Sequence, residues 1–407
     1  MDQFLNKWGE AAYSSLGFFW MAMWAFILGY FISSIIQVFI SESRMQKLMG
    51  DKNTKSVLLG TFFGFISSSC SFSALATSKS LFQKGASFIS TIAFLLSSTN
   101  LVIELGIVIS IFLGWQFVVG EYVGGIFLIL FSWLLIFIIK PNKLIKKARN
   151  KLDSSKSGNH QNQDSFYQNI RSKENWLKVG SKYVMEWQMV WKDVTLGFTI
   201  AGIVAVFVPD SFFESLFINT ANNHEFGFFT LVEHVVIGPI VAFLTFIGSM
   251  GNIPLAALLF GKGVSFAGVM AFIFSDLVVF PVLRINAKYY GWKMSLFILL
   301  LLFLSLIITS LTLHYGFDAL GMLPENVERD IVSKDHFSVD YTLFFNIGFF
   351  LLSGVLVYLS FAEKRRDTNH HHHEMAPKSS LFETVMKWIA FICYLWLIIG
   401  LILKLSS

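Results

Sequence analysis

Residues 81–97, LFQKGASFISTIAFLLS, align without a gap with residues 259–275, LFGKGVSFAGVMAFIFS, at an offset of 178 residues. Two unrelated apolar helices would share Leu and Phe by chance, but they would not also share the pattern Lys-Gly-x-Ser-Phe. The chain therefore contains an internal duplication, which a one-residue slip extends from Gly114-Trp115 to Gly291-Trp292. Nine of the seventeen aligned positions are identical, namely Leu81, Phe82, Lys84, Gly85, Ser87, Phe88, Ala93, Phe94 and Ser97.

The composition around this duplication indicates a membrane protein. Of the 407 residues, 55% are hydrophobic and 14% are charged, against about 45–50% and about 25% in soluble domains. A helical span needs about 20 apolar residues, and the apolar runs along the chain predict about eight to ten transmembrane segments. We therefore predict an all-α polytopic membrane protein. Nucleic-acid binders, soluble Rossmann enzymes and secreted scaffolds are excluded.

The charges of the loops predict how the two copies are oriented. Residues 140–192 carry twelve Lys or Arg against four acids and are expected in the cytoplasm, whereas residues 209–227 and 314–341 are acidic and are expected outside. The two copies then cross the membrane in opposite senses, which is an inverted repeat. The predicted regions are a first membrane repeat (1–139), a basic cytoplasmic loop (140–192), a second membrane repeat (193–313), and an extracytoplasmic loop with two C-terminal transmembrane helices joined by a His-rich cytoplasmic link (314–407).

Two stretches interrupt the apolar runs at matching places in the two copies, FISSSCSFS at residues 65–73 and GSMGNIP at residues 248–254. Broken helices at membrane depth are tolerated where protein or a water-filled cavity satisfies the freed backbone groups, and inverted-repeat transporters bind substrate there. The predicted substrate-binding residues are Ser69, Cys70, Ser71, Asn100, Gly251 and Asn252. The alternative is that small residues at these positions serve close helix packing.

Cys70 also has two interpretations. A thiol at this position would select soft metals or metalloids. A single cysteine in an apolar run also serves as a small hydrophobic residue.

Two acids, Glu104 in LVIELGIV and Asp276 in FIFSDLVVF, lie inside apolar runs. A charged side chain at the centre of the bilayer costs about 2.5–3.5 kcal/mol on insertion scales, so such residues usually mark ion or proton pathways. We predict that both take part in ion coupling, Asp276 above all because Pro281 shortly after it predicts a helix break. The alternative is a structural ion pair with Lys79.

The run His370, His371, His372 and His373 is a candidate metal site, since imidazole binds Zn, Cu and Ni. The alternative is a solvated loop between two spans. No cofactor is expected, because the chain has no nucleotide-binding or hydrolase motif in a supporting context. The expected partners are the lipid bilayer and a small-molecule or ion substrate, with no nucleic acid, and a homo-oligomer is left open.

Several strings of the chain resemble the predicted permease family that includes the organoarsenical efflux permeases. In the first copy they are SSSCSFSALATSKSLFQKGASFISTIAFLLSSTNLVIELG, followed by GWQF and GEYVGG, and in the second copy they are SMGNIPLAALLF, FIFSDL and KYYGWK. The resemblance covers about residues 57–125 and 240–293. It implies a permease of the bacterial inner membrane with a Cys-Ser turn at the centre of its transport core. Many members carry Pro-x-Cys-Ser-Cys-Gly in this turn. Ser68, Cys70, Ser71, Phe72 and Ser73 here align with its Pro, Cys, Ser, Cys and Gly.

The residues and the resemblance together predict a secondary transporter rather than an enzyme. It is expected to export a small solute, such as an organoarsenical or another soft metalloid species, with an ion gradient as the driving force. A transporter of divalent metals or other cations is the first alternative. An intramembrane enzyme or a scaffold subunit is a more distant one.

Overall fold

The structure is a computed structural model in which most of the described residues are α-helical. It describes residues 2–39, 54–67, 71–83, 85–153, 172–218, 220, 226–245, 249–324, 337, 340–367 and 381–406. The helices are α1 (Asp2–Phe39), α2 (Thr54–Ser67), α3 (Ser71–Gln83), α4 (Phe88–Asn100), α5 (Ile103–Phe112), α6 (Trp115–Ile139), α7 (Asn142–Asp153), α8 (Lys173–Phe207), α9 (Asp210–Leu216), α10 (Phe228–Thr245), α11 (Ser249–Gly261), α12 (Phe266–Ile273), α13 (Phe280–Tyr290), α14 (Trp292–Ala319), α15 (Tyr341–Asp367) and α16 (Leu381–Ser406), with a 3₁₀ turn at Phe274–Leu277 between α12 and α13.

Seven helical stretches in this described part are long and apolar enough to cross a membrane, and the bent pair α4–α5 makes an eighth if it counts as one span. Helices α2, α10 and α11 are apolar but shorter. Lipid provides no hydrogen-bond partners for the backbone, so a polytopic chain satisfies its backbone groups within helices. The all-α polytopic membrane fold is confirmed, and the short helices account for several of the interrupted apolar runs.

The centre of the molecule is formed by the stretch that contains α12, the 3₁₀ turn and α13. In the most apolar part of residues 266–290, 89% of the residues are buried inside the protein, whereas 17% are buried in the corresponding parts of α15 and α16. Large apolar side chains such as Leu351 and Trp388 therefore remain on the outside of the helix bundle. The two C-terminal helices are peripheral, and the duplicated segments form the core.

The turn that joins α3 to α4 occurs again between α11 and α12. In each turn a glycine with positive φ, Gly85 at 109° and Gly263 at 86°, follows the preceding helix. The next amide donates back into that helix at 3.0 Å in both copies, from Ala86 to Leu81 O and from Val264 to Leu259 O. All these residues correspond at the offset of 178, so the duplication in the sequence is also a duplication of local structure.

Glycines allow the central helices to approach one another closely. A Cβ atom at Gly64 of α2 would lie 2.8 Å from the Cβ of Ser97 on α4, and one at Gly124 of α6 would overlap the ring of Phe274. These two glycines therefore serve close helix packing, as small residues commonly do at the interfaces of membrane helices.

Helix α7 joins the two copies at one end of the bundle. Arg149 donates to Ala86 O at 2.6 Å, and Lys151 donates to Ala287 O at 3.3 Å. This helix lies within the basic stretch 140–192, and the following helix α8 already begins at Lys173. The stretch that the sequence assigns to a loop therefore contains a surface helix and the start of a long apolar helix.

Candidate functional site

The described helices of the two duplicated segments have matching limits. The structure describes α2 up to Ser67 and α3 from Ser71, and it describes α10 up to Thr245 and α11 from Ser249. Both pairs of limits correspond at the offset of 178. Residues 68–70 and 246–248 lie outside the described part of the chain, so the two helix breaks stay predictions, and Gly251 to Pro254 belong to the first turns of α11.

Three polar side chains connect these breaks to the centre of the bundle. The hydroxyl groups of Ser71 and Ser249 lie 3.2 Å apart, and each donates to Oδ2 of Asp276, at 3.2 Å from Ser71 and 2.9 Å from Ser249. Asp276 is only 2% exposed. Two hydroxyl groups that donate to the same oxygen stabilise a buried carboxylate. Residues that are 205 and 178 positions apart in the chain thus form one polar cluster, which we call the serine–aspartate cluster.

The local sequence explains why Asp276 reaches this position. Helix α12 ends at Ile273, the chain tightens into the 3₁₀ turn that carries Asp276, and Val279 is extended with φ −119° and ψ 154°. Pro281 then lies in the first turn of α13, where its missing N–H is no loss. The residues before a proline are driven out of the α conformation, so the predicted helix break beside Asp276 is confirmed.

Glu121 on α6 is a third acid in this region, and the sequence analysis did not single it out. Its side chain is 0% exposed, and neither of its carboxylate oxygens has a hydrogen-bond partner. It lies within electrostatic range of Asp276. The signal was present in the sequence, because Glu121 is an acid within the apolar run of residues 117–139 just as Glu104 is within its own run.

Glu104, in contrast, lies apart from the serine–aspartate cluster. It is buried in the first turn of α5 and packs against Gly29 of α1, where a Cβ atom would overlap it. An acid in the first turn of a helix is favoured by the helix dipole. No hydrogen bond or ion pair joins Glu104 to Asp276 in the described structure, and Lys79 lies over the ring of Tyr289 at 4.6 Å from its centroid instead of pairing with either acid.

The other predicted substrate residues have well-defined local roles. The amide of Asn100 donates to Leu96 O and to Thr99 Oγ1, both at 3.0 Å, at the end of its own helix α4. Gly251 packs against Gly197 of α8, where a Cβ atom would lie 2.6 Å from the Cα of Gly251. Asn252 is completely buried beside it. Ser71 is thus a predicted substrate residue that hydrogen-bonds to Asp276, and its neighbour in the cluster is its repeat equivalent Ser249, which was not predicted from the sequence.

Several predicted residues lie outside the described part of the chain. They are Ser69, Cys70, His370, His371, His372 and His373. Within the described part, no group of three or more His, Cys, Asp or Glu side chains is arranged to hold a metal ion.

A bundle of membrane-length helices with a buried polar cluster between two duplicated segments is an architecture of multi-pass membrane permeases. The comparison with known families agrees with this class. The family model described as "Predicted permease" matches residues 7–315, and the chain belongs to this family. It is 34% identical over 328 residues, covering 78% of this chain and 79% of the relative, to a protein of Mycobacterium tuberculosis named "Putative permease Rv2963". No solved structure matches the chain.

Proposed function

We propose that this permease is a secondary transporter of the bacterial inner membrane that exports a small solute at the expense of an ion gradient. The observation that carries the proposal is the serine–aspartate cluster, in which residues from both helix breaks share one buried carboxylate. Transporters built from repeats bind substrate and coupling ions where broken helices of the two repeats meet. Transport rather than catalysis is therefore the proposed activity.

The proposed mechanism requires that the two repeats are inverted relative to each other. The repeated turn around Gly85 and Gly263 supports the duplication, and the basic and acidic loops support opposite orientations. The test uses one cysteine on each side, at exposed positions of helices that the structure describes. In intact cells an impermeant maleimide should label Ser215→Cys in α9 and should leave Lys146→Cys in α7 unlabelled until the cells are opened. Protection of Ser215→Cys or labelling of Lys146→Cys would refute the orientation.

An organoarsenical or another soft metalloid species is the proposed substrate. Cys70 directly precedes Ser71 of the cluster, and a thiolate prefers soft ions. Ser69, Cys70 and Ser71 at the first break, with Asn100, Gly251 and Asn252 in the neighbouring helices, form the proposed substrate site. The proposed coupling residue is Asp276, with Glu104 as a second acid in the first repeat.

The substrate is tested by growth of cells with and without the chain on a panel of arsenicals and metal salts. We expect the wild-type chain to protect cells against trivalent arsenicals. Cys70→Ser should abolish this protection at unchanged expression, since the substitution removes only the soft ligand. Cys393→Ser is the matched control, because Cys393 lies in the peripheral helix α16 and its loss should leave resistance unchanged. Full resistance of Cys70→Ser would eliminate the thiol from the mechanism.

A transporter of divalent or other cations is the second candidate, and the pair of buried acids Glu121 and Asp276 favours it. Carboxylate oxygens are ligands of hard cations. Protection against metal salts that is insensitive to Cys70→Ser but lost in Asp276→Asn would select this alternative.

A further inference from the structure

We propose that Glu121 and Asp276 form one proton-binding pair between the two repeats, and that this pair rather than Asp276 with Glu104 loads the driving proton. The inference rests on the proposed transport function and names the group that couples it to a gradient. It assigns a role to Glu121, which neither substrate binding nor helix packing explains.

Glu121 is a buried acid to which no described group donates a hydrogen bond. The side chain is 0% exposed, and among the described residues both of its oxygens lack a hydrogen-bond partner, as does Oδ1 of Asp276. A buried polar atom without a partner is costly, and more so if it is charged. Such atoms persist in a native protein when a bound proton, ion or water uses them.

The packing of α6 brings Glu121 towards the 3₁₀ turn. Gly120 lies against Met270 of α12, because a Cβ atom added at Gly120 would lie 3.3 Å from the Sδ atom of Met270. Gly124, one turn later, contacts the ring of Phe274. Glu121 lies on the same side of α6 as Gly124, because residues three apart share a helix face. The Asp276 carboxylate is close enough to act on it electrostatically.

No Lys, Arg or His of the described chain forms a salt bridge with either acid. The titratable groups on the helices packed around the pair have other surroundings. Lys79 of α3 lies over Tyr289, and Glu104 of α5 lies against Gly29. His234 of α10 bonds Ile218 O at 2.9 Å and lies 3.5 Å from Glu233. His314 of α14 interacts with Asp318, and Lys293 is exposed at the other end of the same helix. The pair therefore has no fixed positive partner.

Two buried carboxylates without a counter-charge among the described residues do not both ionise. One proton on the pair leaves a single negative charge, which the hydroxyl groups of Ser71 and Ser249 hold on Asp276. In the transport cycle the proton binds a carboxylate oxygen from water on one side of the membrane and is released to water on the other side. No other bond forms or breaks.

The pair can be tested without knowing the substrate, by infrared spectroscopy of the purified chain in lipid nanodiscs. The C=O stretch of protonated carboxyl groups is followed against pH for the wild type, Glu121→Gln, Asp276→Asn and the double variant. In a coupled pair, the charge of the first acid raises the second wild-type step, so the acid that remains in each single variant should titrate at least about one pH unit below that upper step. Glu104→Gln is the matched control with an equally buried acid outside the pair, and it should leave those steps unchanged.

Two results would overturn the pair. Single variants that each remove one band and leave the other at its wild-type midpoint would show two independent acids. Displacement of the carboxyl band by Na⁺ or K⁺ at constant pH would assign the site to a metal cation instead of a proton. Glu121→Asp guards against misfolding of the Gln variant, since it keeps the acid and should retain the coupled titration. A coupled titration in a chain that transports nothing would refute the proposed function alone.

Discussion

The segment α3–α4 and the segment α11–α12 are built in the same way up to their last turns. The first described residue of both is a serine, both turn at a glycine with positive φ, and both restart at a serine N-cap, Ser87 or Ser265. In each cap the serine oxygen accepts from the amide three residues later. The common scaffold therefore depends on a few local interactions that the sequence repeats.

The two segments differ where the second one reaches the centre of the bundle. Helix α4 continues as an α-helix through Ser98 to Asn100, whereas α12 stops at Ile273 and tightens into the 3₁₀ turn of Asp276, the position equivalent to Ser98. A duplicated scaffold thus carries an acid in one copy only. The comparison indicates that the repeated residues determine the helices and turns that the two segments share, and that the acid Asp276 occurs where the second segment differs from the first.

The largest effect is expected from removing that charge. Asp276→Asn should lose gradient-driven transport to background level but keep exchange of substrate, because the amide cannot load and release a proton. Ser98→Ala, at the equivalent position, is the matched control and should transport normally. The measurement is flux against pH in proteoliposomes with a substrate found by the resistance panel. Wild-type pH dependence in Asp276→Asn would return this residue to a structural role.

The two turn glycines should differ in what they tolerate. Both have positive φ, which costs an L-residue roughly 1–2 kcal/mol, but a Cβ at Gly263 would also overlap the carbonyl oxygen of Thr220, while nothing lies within 4 Å of one at Gly85. Overpacking adds about 1–3 kcal/mol, so Gly263→Ala should lower the free energy of unfolding clearly more than Gly85→Ala.

The comparison of the two glycines is measured by denaturant unfolding in detergent micelles. Gly227→Ala is the control, because this glycine has neither a positive φ nor a neighbour within 4 Å. Equal losses in Gly85→Ala and Gly263→Ala would contradict the contact with Thr220.

The two serines of the cluster should contribute unequally to the free energy of unfolding. Ser249 donates to Asp276 at 2.9 Å and Ser71 at 3.2 Å, and hydrogen bonds to charged groups contribute about 1.5–3 kcal/mol. Double-mutant cycles that combine Ser249→Ala or Ser71→Ala with Asp276→Asn should give the larger coupling energy for Ser249. A coupling energy near zero for both would show that the hydroxyl groups pack beside the carboxylate without bonding to it.

Much of this fold could be predicted from the sequence because its signals are local. The apolar runs, the repeated Lys-Gly-x-Ser-Phe and the proline after Asp276 each act within a few residues, and they correctly located the helices, the duplicated turn and the helix break. The members of the site were harder to predict. Contacts between Ser71 and Asp276, or between α6 and the 3₁₀ turn, depend on how distant helices pack.

The offset of 178 could have identified Ser249 as the equivalent of Ser71, and an acid count over every apolar run would have included Glu121. Asn100 shows the opposite case. Its amide nitrogen donates to its own helix end, a contact that only the three-dimensional structure reveals, and its role as a ligand stays a prediction.

The smallest effect is expected at the two N-caps, where the copies are most alike. Ser87 accepts from Ser90 N at 3.2 Å and Ser265 accepts from Gly268 N at 3.1 Å, and loss of a serine cap costs about 1 kcal/mol. Ser87→Ala and Ser265→Ala should therefore lower the free energy of unfolding by similar amounts, measured by denaturant titration in the same micelles. The bond from Ser265 N to Nδ1 of His234 uses the backbone and survives in Ser265→Ala, so it adds nothing to the difference. If Ser265→Ala were much more destabilising than Ser87→Ala, the two caps would not be equivalent, and the equivalence of the repeated turns would fail at its most local level.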